Sequence, residues 1–135
     1  MADHMMIPVP FEIVAEVGRQ ESRMRWPEYV PAFAEVPHPD GDDRFVAWSD
    51  LNVAMCEQLV EHHRRKASKA IVQFMKTCGR RGLRVAAKNI LYARLYRCRY
   101  LTLLGKADST EDELPFPITS RGVMWEYRNE EFNDA

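Results

Sequence analysis

A mainly α fold is expected here: a long antiparallel helical hairpin, an N-terminal helix, a Pro-rich ordered strap and a possible short C-terminal β-strand or ribbon. Three observations carry this. An apolar stripe (Cys56, Leu59, His63, Ala67, Ala70, Phe74, Cys78) recurs at spacings of three and four, the period of one helix face. A second apolar pattern runs from Leu83 to Leu104, and Gly79-Arg-Arg-Gly82 separates the two. The 135 residues, 46% apolar and 29% charged, suit a single domain over 1–135 with a core of its own.

In chain order, Met1–Pro8 lacks the basic and apolar regions of a secretory signal. No run approaches the roughly eighteen apolar residues of a transmembrane helix, so a cytoplasmic protein without a membrane partner is expected. Phe11, Ile13, Val14 and Val17, with Glu12, Glu16 and Glu21 between and beyond them, predict an amphipathic helix over 11–23. Pro10 suits its first turn.

Residues 26–43 form the strap. Pro27, Pro31, Pro37 and Pro39 forbid a long helix and push their neighbours to extended backbone. Trp26, Tyr29, Val30 and Phe33 are too apolar for a free linker and should lie across the core. Asp40-Gly-Asp-Asp43 closes the strap as a turn without calcium-loop spacing. Arg44–Trp48 reads as a short strand or a lead-in to the long helix, 50–78, with Ser49 or Asp50 as its N-cap. Val60 and Ile71 widen that helix's buried stripe.

Gly79 and Gly82 are placed for a tight turn between helices. The second long helix, 83–104, is apolar on most sides through Leu83, Ala86, Ala87, Ile90, Leu91, Leu95, Cys98, Leu101 and Leu104, and ends at Gly105. It should be the central helix, packed on more than one neighbour. Val123, Trp125 and Tyr127 alternate with polar or flexible residues, so 122–127 is a candidate strand with Phe45–Trp48 as a candidate partner. The acidic end, 129–135, is expected to fray.

Charge points to a class of partner. Between His62 and Lys106 stand thirteen of the nineteen Lys and Arg residues and no Asp or Glu. The other ninety residues hold six basic and twenty acidic side chains, so a net charge of −1 conceals a block of +13 flanked by −14. A merely solvated face usually mixes signs. On the second long helix Arg81, Arg84, Lys88, Tyr92, Tyr96 and Arg99 share about one third of the circumference. Cations interleaved with tyrosines are what a phosphate backbone and exposed bases require. Arg65, Lys69 and Lys76 stand opposite the buried stripe of the first long helix, and Arg80 sits in the turn. The competing structural account has both tyrosines packed under the strap and the arginines merely solvated.

Arg94 and Arg97 project towards the apolar side and should clamp acidic segments, such as the first helix, onto the core. His63 lies on the buried stripe and reads as a satisfied core histidine rather than a base. Cys56, Cys78 and Cys98, odd in number and widely spaced, read as reduced core thiols; neither metal nor cofactor is expected. No catalytic triad or phosphate loop is visible, so the chain reads as a non-enzyme. A helix-turn-helix DNA reader fits poorly, because the first helix is too long.

The function expected is non-catalytic, largely sequence-independent nucleic-acid binding, single strands favoured, by an accessory subunit of a nucleoprotein complex. The alternative is a protein–protein interaction module, an inhibitor or assembly factor. Its basic centre would meet an acidic protein surface or the acidic flanks of another copy in a homo-oligomer.

Overall fold

Among the described residues, apolar side chains at helical spacing build three helices that pack on one another. In the computed structural model, which describes residues 4–24, 30–38, 41–105, 118–119 and 122–128, α1 spans Phe11–Arg23, α2 Val53–Thr77 and α3 Arg80–Leu103. A short strand, β1 (His4–Pro8), precedes α1. Between α1 and α2 lie β2 (Phe33–Val36), β3 (Arg44–Ala47) and a 3-10 turn at Trp48–Asp50. Two strands follow α3, β4 (Ile118–Thr119) and β5 (Gly122–Arg128).

The mainly helical hairpin architecture is the expected one. α2 and α3 pack along their length, and α1 lies against α3, which is therefore the central helix. Ile13 and Val17 of α1 meet Ile71 and Phe74 of α2 and Ala86, Ala87, Ile90 and Leu91 of α3 in one core cluster. A second cluster joins Cys56 and Leu59 of α2 and Tyr96 of α3 to Ala34 and Val36 of β2. Arg94 bonds Glu21, clamping α1 to the central helix as its half-buried guanidinium requires.

Several boundaries differ from expectation, each for a local reason. The N-cap of α2 is Asn52, whose Oδ1 accepts from the Met55 N–H at 2.8 Å. Ser49 and Asp50 are spent in the 3-10 turn, and Leu51 then runs extended and buried into the core, delaying the helix to Val53. At the other end Cys78, not a glycine, takes the left-handed conformation (φ 54°) that ends α2. Gly79 is an ordinary extended N-cap, and α3 begins at Arg80 rather than Leu83. Gly82 therefore lies inside the first turn of α3, against the backbone of α2. A Cβ there would sit 3.4 Å from the Phe74 nitrogen and 3.5 Å from the Ala70 oxygen, ordinary contact distances, so position 82 packs directly on α2 without requiring a glycine. Gly105 does terminate α3, with φ 74°.

The described part of the strap is a hairpin: β2 pairs antiparallel with β3, Phe33 opposite Ala47 and Glu35 opposite Phe45. Its alternation buries Ala34 and Val36 and exposes Phe33 and Glu35, so Phe33, like Val30 before the strand, faces outward and does not lie across the core as expected. Trp26 and Tyr29, and the tail at 129–135, lie outside the described residues. β5 forms where the alternation placed it, but its partners are β1 and β4, in a three-stranded sheet of order β1-β5-β4. The expected pairing with Phe45–Trp48 does not occur. β2 reaches β3 through a short connection, and closing a short loop loses less chain entropy than recruiting the far end of the chain. Of the thiols, Cys56 is buried, whereas Cys78 and Cys98 are exposed, as is Leu104. Cys78 and Leu104 are helix caps, at the open ends of their helices. No helix among the described residues is long and apolar enough to cross a membrane.

Candidate nucleic-acid interface between the long helices

The outer groove of the α2–α3 hairpin is walled on its far side by β2 and β3, leaving an open cleft of about 1250 Å³. From α2 it takes His62, His63, Lys66 and Lys69; from α3, Arg81, Lys88, Asn89 and Tyr92. The hairpin contributes Phe33, Glu35 and Phe45.

The floor is an aromatic stack held by hydrogen bonds. His63 lies nearly parallel to Tyr92 (centroids 5.1 Å apart, 24°) and to Tyr96 (5.6 Å, 15°). Trp48 also meets Tyr96, tilted by 36° with centroids 6.1 Å apart. The Asn89 Nδ2 donates to the Val85 carbonyl at 2.9 Å, which turns its Oδ1 towards His63 Nδ1 at 2.7 Å. Oδ1 can only accept, so Nδ1 carries the proton of a neutral ring. Burial pushes the His63 pKa down to about 4; His62, Lys66 and Lys88 act in the same direction, against the Asn89 hydrogen bond. His63 is thus a half-buried histidine of the cleft floor with Nδ1 bonded to Asn89, not the fully buried core residue expected from its place on the stripe.

The candidate residues separate into groups. Lys69, Arg81 and Lys88 are exposed and line the cleft. Tyr92 is half-buried in the floor with the Lys88 ammonium 5.8 Å from its ring centroid. Tyr96 is only 3% exposed and belongs to the core, against its place on the predicted stripe. Arg99 leaves the stripe as well. It is half-buried with its guanidinium 5.3 Å from the Trp48 ring centroid, and its Nε is buried without a hydrogen-bond partner among the described residues. Arg84 is exposed but opens on a second depression, between α1 and α3. Lys76 and Arg80 are exposed near the helix turn and do not line the cleft. Arg65 is exposed and held by Glu61 at 3.1 Å. Glu61 stands just outside the acid-free stretch, and four residues on a helix bring it back alongside.

Four further cleft residues stand outside the predicted set: His62 and Lys66, which helical spacing places only at the flank of the basic face, and Phe33 and Phe45. Lys66 stands beside the basic face already identified and was there to be found. Phe33 and Phe45 carry no signal until the hairpin pairing puts them on one face. The second depression, of about 880 Å³, adds Arg19 and Arg23 beside Arg84 and Lys88. There Glu16 is covered by Arg19 (2.8 Å), Gln20 (3.0 Å) and Arg23 (3.4 Å), and hydrogen bonds from Gln20 and Arg19 hold its carboxyl below the usual range. Among the described residues no group of three or more His, Cys, Asp or Glu side chains is placed to hold a metal ion. Comparison with protein-family models, with curated proteins and with solved structures finds no match to this chain.

Proposed function

We propose that this chain is a cytoplasmic, non-catalytic nucleic-acid-binding subunit of a larger nucleoprotein complex, gripping the phosphate backbone in the α2–α3 cleft largely without regard to sequence. The observation that carries this reading is the convergence of exposed cations from two helices, Lys66 and Lys69 from α2 with Arg81 and Lys88 from α3, on one open groove. A row of cations along a groove attracts a backbone through counterion release and needs no base contact. Self-association through the acidic flanks draws less support, because several of those acids are engaged within the chain. Glu21 bonds Arg94, Glu16 bonds Arg19 and Arg23, and Glu61 bonds Arg64 and Arg65.

The test is a salt titration of oligonucleotide binding by the wild type and by the Lys69→Ala/Arg81→Ala/Lys88→Ala variant. Losing three phosphate contacts should flatten the slope of log K against log salt by about 2–3. Melting temperature should barely move, since exposed charges contribute about 0–1 kcal/mol each. A folded variant with unchanged affinity and slope would refute the cleft as the binding surface.

A further inference from the structure

Two large, exposed aromatic side chains stand beside this cleft, and neither belongs to a core cluster among the described residues. Phe33 is 60% exposed and Phe45 73% exposed. Both lie on the outer face of the β2–β3 hairpin, whose inner face is fixed to the core by Ala34 and Val36. The register sets Phe45 opposite Glu35 and Phe33 opposite Ala47, so the two phenylalanines are diagonal neighbours on one side of the ladder. That side is a wall of the cleft.

The walls differ in charge. The helical side presents Lys66, Lys69, Arg81 and Lys88, while the hairpin side presents Glu35 and Asp43 with the two phenylalanines. A phosphate backbone is drawn to the first wall and repelled from the second. A strand lying in the cleft therefore turns its bases towards the hairpin, where two phenyl rings offer faces for stacking. A duplex cannot do this, because its base faces are already stacked on one another.

We propose that Phe33 and Phe45 form a base-stacking wall that makes the cleft select single-stranded nucleic acid. This rests on the nucleic-acid reading above and assigns the discrimination to residues outside the basic block. Base–aromatic stacking tolerates any base, which agrees with a backbone-directed grip.

The experiment measures fluorescence-anisotropy affinities for an oligothymidine single strand and for a duplex of equal length. It compares the wild type, Phe33→Ala/Phe45→Ala and Phe33→Tyr/Phe45→Tyr, with melting temperatures alongside. The alanine variant should lose about tenfold or more in single-strand affinity. Its duplex affinity should stay within about twofold and its melting temperature should hold, because the rings are solvent-exposed. The tyrosine variant should bind single strands like the wild type. An alanine variant that keeps its single-strand affinity overturns the proposal and leaves the phenylalanines to a protein partner. Equal losses on single strand and duplex, or a tyrosine variant that fails to restore binding, overturn it too. A wild type that binds neither nucleic acid refutes the parent reading instead.

Discussion

Tyr96→Ala is expected to destabilise the fold by about 3–5 kcal/mol, the range for deleting a large buried aromatic. The ring is 3% exposed and sits between Trp48, His63 and Tyr92, with centroids 6.1, 5.6 and 6.2 Å away. Ala34, Val36, Leu51, Cys56 and Leu59 complete its surroundings. Removing it loosens the hairpin from α3, because Tyr96 is the α3 residue buried in that cluster, while Cys56 and Leu59 of α2 still hold Ala34 and Val36. The melting temperature should fall by on the order of 10–20 °C. Tyr92→Ala, at a half-buried position, should cost clearly less. Circular-dichroism melts of the two variants decide the matter. A fall of only a few degrees for Tyr96→Ala would place the ring outside the core and restore it as a binding residue.

Acidification should weaken the fold through His63 by on the order of 2–3 kcal/mol. The folded ring stays neutral down to about 4, mainly because burial disfavours its charged form, while the unfolded ring takes up a proton near 6.5. Between those values the unfolded state holds more protons, so stability falls as pH drops from about 6.5 to about 4. His62, also lowered by burial, acts in the same direction. Glu16, held below its ordinary value of 4.5, contributes stability that is lost only under more acid conditions. Urea unfolding of the wild type and His63→Gln across this window checks the assignment. The variant's stability should depend less steeply on pH. Parallel losses in both proteins would mean that His63 is not the titrating group.

The helical scaffold was largely legible from periodicity. The α2 stripe from Cys56 to Phe74, the extent of α1 and the role of α3 as central helix all follow from which residues recur at three and four. What periodicity on a lone helix cannot reveal is what arrives from elsewhere to cover it. Arg81, Lys88, Tyr92, Tyr96 and Arg99 share one stripe of α3, yet the 3-10 turn and β2–β3 roof its C-terminal half. Trp48 and the hairpin's inner face take Tyr96 into the core, and Arg99 lies over the Trp48 ring. The N-terminal half stays open.

Glycine turn chemistry misled in a similar way. Gly79 and Gly82 bracket an expected turn, but Cys78 accepts the left-handed backbone and Gly82 lies inside α3, at ordinary contact distance from α2. Charge counting within 62–106 also overlooked Glu61, one residue outside the window and one helical turn from Arg65. Phe33 and Phe45 could not be read as a pair, because only strand register makes residues twelve apart in sequence share a face.

The most direct test of the cleft as a nucleic-acid interface is residue-resolved. Backbone amide shifts of the 15N-labelled protein should be followed while oligothymidine is added at low salt. The account predicts changes gathered in segments that meet only in the folded cleft: 33–36 and 43–47 of the hairpin, 62–73 of α2 and 81–92 of α3. Shifts confined to α1 and the C-terminal turns of α3, or none at saturating oligonucleotide, would contradict it.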